Sequence, residues 1–150
     1  MSISNRKVVI VGAGHVGSHV GYALISQSLA DEIVYIDSDH AKAVAQALDL
    51  TDATNYLPVR TKVIAGDYSD AKDAQIMIIS AGPLPTGNQT RMDTLGQTIA
   101  ILKDVTKSIK ESGFDGIIVN ISNPADVITH YIQHTLNWAP ERIFSTSTTL

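Results

Sequence analysis

A chain of 150 residues, 44% of them hydrophobic and 17% charged, is long enough for one globular domain with a substantial core. The formal net charge of −4 disfavours general binding to nucleic acid or anionic membranes. The absence of cysteine excludes disulfides, thiolate nucleophiles and cysteine-ligated metals. No signal-like segment and no apolar run approaching about 18 residues is present, so we expect a cytoplasmic protein.

The N-terminal quarter carries a glycine-rich turn between two predicted elements. An apolar run, Val8–Val11, predicts a strand buried on both faces, and glycines follow at positions 12, 14 and 17 before a helix-like segment. Gly12 permits a tight turn, Gly14 leaves room for a pyrophosphate, and Gly17 lets the helix lie close to the strand. Asp37 ends the next strand, where a carboxylate can accept hydrogen bonds from a ribose. The pattern indicates a dinucleotide site, against the alternative of an ordinary glycine-containing turn.

Apolar runs alternate with helical patterns along the rest of the chain. The predicted strands are Val8–Val11, Ile33–Ile36, Thr61–Gly66, Gln75–Ala81, Ile117–Ile121 and Arg142–Thr146. The predicted helices run from the glycine-rich turn to about Leu29 and over Asp39–Asn55, Arg91–Ser112 and Pro124–Leu136. This alternation predicts a single α/β domain, a doubly wound parallel sheet of the Rossmann type with strand order 3-2-1-4-5-6.

Three details refine this prediction. Helical spacing predicts that Ala43, Val44, Ala47 and Leu48 form the apolar stripe of the second helix. Pro124 is expected as the first residue of the last helix. The segment 82–88 is too rich in proline and glycine for a helix or strand, and connections of this length are often functional lids.

In such a sheet, ligands bind beyond the carboxyl ends of the strands, near the switch between the first and fourth strands. Three stretches fall there: Gly12–Gly17, Gly82–Arg91 and Ile121–Asp126. They are therefore the candidate ligand-binding segments.

Several motifs in order now resemble a known family. Gly12-x-Gly14-x-Val16-Gly17 with Asp37, then Ala81-Gly82, Thr90–Asp93, Ser122–Asp126 and Ser145–Thr148, are similar to the L-lactate and malate dehydrogenases. The stretch 111–114 together with 121–129 is most similar to the L-2-hydroxyisocaproate dehydrogenase branch. The resemblance covers essentially the whole chain but only the nucleotide-binding half of such enzymes.

The resemblance implies NAD as cofactor and a role for each matching position. Arg91 and Asn123 are the implied catalytic residues, Arg91 polarising the substrate carbonyl. The implied cofactor-binding residues are Gly12, Gly14, Val16, Gly17, Asp37, Lys42, Tyr68, Gly82, Ile121, Asn123 and Thr146. Without the resemblance, the sequence favours a solvated side chain in the first helical turn for Arg91, and a structural helix cap is a sufficient explanation of Asn123. Lys42, Tyr68 and Thr146 could equally be surface or turn residues.

The resemblance also bears on substrate and assembly. The implied substrate-binding residues are Pro85, Arg91 and Asn123. Pro85 occupies the loop position where lactate enzymes have Gln and malate enzymes have Arg. Leu84 is the alternative counterpart, and either residue is apolar. A bulky apolar 2-oxo acid such as 2-oxoisocaproate is therefore expected to be preferred over pyruvate, and oxaloacetate is expected to be a poor substrate. Serines at 145 and 147 replace glycines that are usual in relatives. The implied assembly is a homo-oligomer, a dimer or tetramer of the full-length enzyme.

Hydride transfer from a hydroxyl requires a base, yet the five histidines do not match the family's catalytic motif. His130 and His134 lie four residues apart on one helix face, but no Glu follows His130 as it does in the metalloprotease pattern. A solvated helix face is therefore favoured over a metal site, and no metal is expected. The family's catalytic His, its supporting Asp and its carboxylate-binding Arg would follow Leu150. A non-catalytic NAD(H)-binding or redox-sensing module therefore stays open as the alternative. The NAD-dependent glycosidases share the predicted fold, but an enzyme of that class would need a metal site, and the sequence offers none.

Overall fold

The computed structural model describes residues 5–58, 60–83 and 86–146. The strands are β1 (Lys7–Val11), β2 (Glu32–Ile36), β3 (Lys62–Ala65), β4 (Ile76–Ile79), β5 (Ile117–Asn120) and β6 (Ile143–Ser145). The helices are α1 (His15–Ser26), α2 (His40–Thr54), α3 (Leu95–Ser112) and α4 (Ala125–Leu136), with short 3₁₀ turns at Tyr68–Ala71 and Pro140–Arg142. All strand pairs are parallel and the order is β3-β2-β1-β4-β5-β6, which confirms the predicted sheet.

The sheet is buried on both faces, as its uninterrupted apolar strands require. Val9 and Val11 of β1 pack with residues of α3 and α4, whereas Val8 and Ile10 pack with residues of α1 and α2. Successive side chains of a strand point to opposite faces, so one short segment contributes to both halves of the core. The central strand β1 is therefore fixed between two helical layers, and its carboxyl end is a rigid base for the turn that follows.

Helix α1 lies close against the sheet at its N-terminal half. A Cβ at Gly17 would collide with the carbonyl oxygen of Gly12, and one at Gly21 with the hydroxyl of Tyr35. The fully buried Tyr35 donates its O–H to the Gly17 carbonyl oxygen at 3.2 Å. Burial raises the pKa of Tyr35, so the hydroxyl stays protonated and keeps this bond. These contacts hold the N-terminus of α1 at the end of β1.

Helix α3 begins at Leu95, so the prediction that it begins near Arg91 was wrong. The Asp93 carboxylate accepts hydrogen bonds from the Thr90 N–H at 2.6 Å and the Thr90 hydroxyl at 2.8 Å. This local bonding offers the backbone an alternative to the helix. Arg91 consequently lies in a turn before the helix. The far end was predicted correctly: α3 stops at Ser112, and Gly113 has a left-handed φ of 74°.

The apolar stripe predicted for α2 was partly wrong. Ala43 and Ala47 are buried, but Val44 is 36% exposed and Leu48 is 62% exposed. The buried face continues instead through Leu50 and Thr54. Positions 44 and 48 are each about 100° further round the helix than 43 and 47, because one residue turns a helix by that angle. The face of small alanines packs against the sheet and the larger side chains point outwards.

Pro124 directly precedes α4 and is not its first residue, which corrects the sequence prediction. Its ψ of 123° is extended, and the Asn123–Pro124 peptide bond is cis. The remaining element ends coincide with the predicted ones or differ by one or two residues, as helix and strand assignments commonly do, except that α1 ends at Ser26, three residues before the predicted Leu29. Among the described residues, no helix combines the length and apolar character needed to span a bilayer.

Candidate dinucleotide-binding site

A cleft lies at the carboxyl ends of the central strands. It consists of a larger groove of about 560 Å³ and a smaller cavity of about 100 Å³. Both are lined by the four residues Ser80–Pro83, which follow β4, so the two spaces adjoin. The three candidate segments of the sequence all contribute to this cleft, as the topology predicts.

The glycine-rich turn borders the larger groove, and glycine is required for different physical reasons at its different positions. Gly12 has a φ of 105°, and a Cβ there would lie 2.8 Å from the carbonyl carbon of Ser80. Gly14 has an ordinary φ of −77°, and a Cβ there would meet no atom of the described residues within 4 Å. Protein packing therefore does not require glycine at position 14. A ligand that approaches the backbone closely would require it.

The N-terminus of α1 is suited to receive an anion. Gly14 is its N-cap residue and offers no side chain to the first-turn N–H groups, which lack partners within the helix. The first turn also contains no acidic side chain that would neutralise the positive end of the helix dipole. The turn and the free space at Gly14 together fit a pyrophosphate.

Asp37, at the carboxyl end of β2, connects that strand to the glycine-rich turn. Its carboxylate accepts hydrogen bonds from the Ala13 N–H at 2.7 Å and from the Asp39 N–H at 2.9 Å. Each carboxylate oxygen retains a further lone pair for a ligand hydroxyl. Asp37 lines the larger groove, so its carboxylate is accessible to a ligand bound there.

Lys42 and Tyr68 line the same groove as Asp37, so the structure brings these sequence candidates together. Burial raises the pKa of Tyr68 to about 12, and its hydroxyl is therefore a neutral phenol at physiological pH. A further part of the groove wall, not among the residues predicted from the sequence, is one face of α3: Ile101, Asp104, Val105 and Ser108. Their i, i+3, i+4, i+7 spacing is a helical face, and its two polar members were the available signal.

The smaller cavity contains the residues with implied catalytic roles. Arg91 and Asn123 both line it, with Val16, Gly82 and Ile121. Arg91 is exposed and Asn123 is half-buried. Neither side chain makes a hydrogen bond or ion pair with any residue of the described ranges. The Arg91 guanidinium and the Asn123 amide therefore line the same small cavity, and both are available to form hydrogen bonds with a ligand.

Other candidates lie elsewhere. The backbone N–H of Thr146 donates to the Asn120 carbonyl oxygen at 3.4 Å, and Thr146 lines neither space. Pro85 and its alternative Leu84 lie outside the described residues, as does Ser147. None of the five histidines lines either space, and His130 and His134 are exposed on α4. Within the described ranges, no group of three potential metal ligands is found.

Comparison with known proteins gives a consistent result. Residues 6–145 match the family model for the lactate/malate dehydrogenase NAD-binding domain. The chain is 42% identical over its whole length to L-lactate dehydrogenase 3 of Bacillus cereus, covering 48% of that protein. It is 39% identical to L-lactate dehydrogenase 2 of Enterococcus faecalis, covering 47% of it. The chain thus spans about half the length of the curated relatives it matches.

Solved structures agree. The minor L-lactate dehydrogenase of Enterococcus mundtii in its ligand-bound form superposes with a TM-score of 0.90 at 37% identity, over 95% of this chain and 45% of that one. Malate dehydrogenase of Plasmodium falciparum superposes with a TM-score of 0.88 at 27% identity, over 94% of this chain and 45% of that one. With the glycine-rich turn, Asp37 and the cleft in the expected places, the chain belongs to the lactate/malate dehydrogenase family, as an NAD-binding domain.

Proposed function

We propose that this chain is the cofactor-binding half of an NAD-dependent L-2-hydroxy-acid dehydrogenase of the L-lactate or L-2-hydroxyisocaproate type. The observation that supports this most is the smaller cavity, where the Arg91 and Asn123 side chains have no partner among the described residues and lie beside the groove that fits the dinucleotide. A module that only binds or senses NAD(H) has no use for a guanidinium at that place. The proposal includes a cytoplasmic location and a homo-oligomeric full-length enzyme.

Each group of residues has a task in the proposed reaction. Bound NAD(H) would supply or take up the hydride. The turn from Gly12 to Gly17 holds the pyrophosphate, and Asp37 accepts hydrogen bonds from a ribose. Arg91 places positive charge beside the substrate carbonyl, where negative charge develops. Asn123 donates from its amide to substrate or to the nicotinamide end of the cofactor. Lys42 and Tyr68 border the adenosine end.

The proposed substrate is a bulky apolar 2-oxo acid. Pro85 or Leu84 can neither donate a side-chain hydrogen bond nor balance a second carboxylate, so oxaloacetate is expected to be a poor substrate. A panel of 2-oxo acids, assayed with the longest protein that the gene encodes, tests this. We expect kcat/KM to be highest for 2-oxoisocaproate and lowest for oxaloacetate. Because the relatives are named L-lactate dehydrogenases, a preference for pyruvate is the nearest competing result, and a preference for oxaloacetate would refute the proposal on substrate.

NADH is expected to bind about 100-fold more tightly than NADPH. The Asp37 carboxylate would face the 2′-phosphate of NADPH, and a like-charge contact of this kind costs several kcal/mol. Lys42 lines the same groove and offsets part of the repulsion. Titrations of both reduced cofactors, followed by nicotinamide fluorescence, measure the ratio.

Asp37→Ser should bring the ratio of NADH affinity to NADPH affinity close to one. The variant also loses the hydrogen bond to the Ala13 N–H, so both cofactors should bind more weakly. Asp49→Ser is the matched control, because Asp49 is an exposed acid on α2 that lines neither space. NADPH binding as tight as NADH binding in the wild-type chain would contradict the role of Asp37.

A further inference from the structure

Asn120 is a polar residue in an otherwise apolar strand. It is the last residue of β5, its exposed fraction is 0%, and it pairs with Ile79 of β4 and Ser145 of β6. Burial of an amide side chain is costly unless its hydrogen bonds are satisfied. An apolar residue would fill the same place without that cost, so the contacts of Asn120 show what the amide does there.

The Asn120 amide has four hydrogen-bond partners, all in the segment that follows β5, and its two N–H groups are shared among three of them. Its oxygen accepts from the Ser122 N–H at 3.0 Å. Its nitrogen lies 3.3 Å from the Ser122 carbonyl oxygen, 3.2 Å from the Ala125 carbonyl oxygen and 3.0 Å from the Thr129 hydroxyl. One side chain therefore contacts the backbone on both sides of Asn123 and the first turn of α4.

Other bonds hold the same segment. The Ser122 hydroxyl donates to the Ile79 carbonyl oxygen at 3.3 Å, and the Thr129 hydroxyl donates to the Ala125 carbonyl oxygen at 2.8 Å. Ser122 and Ala125 are buried, whereas Asn123 between them is half-buried and lines the smaller cavity. Asn123 is the residue of this turn whose side chain is left for a ligand, while its neighbours are fixed by the protein.

We propose that Asn120 is a positioning residue that aims the Asn123 amide into the cleft. The inference rests on the proposed function, since it assumes that Asn123 meets the nicotinamide end of the cofactor. Asn120 itself is fully buried and touches no ligand. Its effect on binding passes through Asn123 and is confined to the end of the cleft that Asn123 lines.

The test compares two ligands that differ at that end. NADH and ADP-ribose share the adenosine and pyrophosphate, but ADP-ribose lacks the nicotinamide. Both are titrated by calorimetry against the wild-type chain, Asn120→Val, Asn123→Ala and the double variant. Ile128→Val is the matched control, because Ile128 is a fully buried core residue of α4 whose side chain makes no hydrogen bond.

We expect Asn120→Val and Asn123→Ala each to weaken NADH binding about five- to tenfold, the worth of about one hydrogen bond. ADP-ribose binding should change by less than about twofold on the same scale. The double variant should bind NADH no more than about twofold worse than Asn123→Ala, because residues that act as one unit are not additive. Ile128→Val should lower the melting temperature and leave the ratio of the two affinities unchanged.

Equal losses for both ligands, or additive losses in the double variant, would overturn the inference. If Asn120→Val does not fold, the same pair of titrations on Thr129→Val tests the inference. It removes one acceptor of the Asn120 amide, and a selective loss of NADH affinity of about two- to threefold is expected. A wild-type chain that fails to bind NADH overturns the proposed function as well, whereas NADH binding that these variants leave unchanged overturns only this inference.

Discussion

The 150-residue chain alone is expected to bind NADH and to oxidise it no faster than a buffer control when a 2-oxo acid is added. No histidine of the described residues lines the cleft, so the side chain best suited to exchange a proton near neutral pH is missing beside Arg91 and Asn123 in the part of the chain that the structure describes. General acid–base catalysis alone typically contributes ~10²–10⁴ in rate.

The measurement is NADH absorbance over time with several 2-oxo acids, beside a fluorescence titration of NADH on the same preparation. The titration is the control, because it shows that the chain is folded and holds cofactor. Oxidation that depends on substrate and clearly exceeds the buffer rate would mean that a group within this chain supplies the proton. The proposed division of tasks between this half and the remainder of the enzyme would then be wrong.

Arg91→Gln is expected to lower kcat/KM for a 2-oxo acid by about 10²–10³ in the longest protein that the gene encodes. The guanidinium lies in the turn before α3, lines the smaller cavity and has no partner among the described residues. Its charge therefore remains available to the substrate carbonyl. Glutamine keeps a donor but removes the charge, so the loss should fall mainly on kcat while the NADH dissociation constant changes little.

Arg60→Gln is the matched control, since Arg60 is exposed and lines neither space. It should leave both kcat and KM within about twofold, as surface substitutions away from functional features usually do. Retention of full activity by Arg91→Gln would favour the solvated reading of Arg91. It would also remove the main argument against a module that only binds NAD(H).

The sheet and the position of the cleft were predictable because their signals are local. Val8–Val11 is an unbroken apolar run before a glycine turn, and such a pattern has few structural solutions. Asp37 was predictable for the same reason, since it ends an apolar strand at a fixed distance from the turn. Arg91 and Asn123 followed from the resemblance, and the structure places both in one cavity.

The errors arose where side chains compete with simple periodicity. Asp93 bonds back to Thr90 and delays the start of α3, which a count of helix-forming residues cannot show. In α2, small alanines face the sheet while Leu48 faces outwards, because small side chains let the helix pack closely against the sheet. The role of Asn120 depends on four contacts made after the chain has folded, so its residue type alone gave little sign of it.

The turn from Gly12 to Gly17 is proposed to hold the pyrophosphate of NAD(H), and the Gly14→Ser variant tests this placement. A Cβ at position 14 meets no atom of the described residues, and serine is a favoured N-cap residue, so the melting temperature should stay the same or rise slightly. The added hydroxymethyl group would occupy the space of the phosphate and compete for the same N–H groups. We expect NADH affinity, measured by calorimetry, to fall at least about tenfold, or about 1.4 kcal/mol.

Gly96→Ala is the control, because a Cβ there also meets no protein atom and Gly96 lines neither space. It should leave NADH affinity unchanged. Loss of NADH affinity in Gly14→Ser with an intact fold is the predicted result. Undiminished NADH binding by Gly14→Ser would contradict the account, because the cofactor would then not lie against this turn.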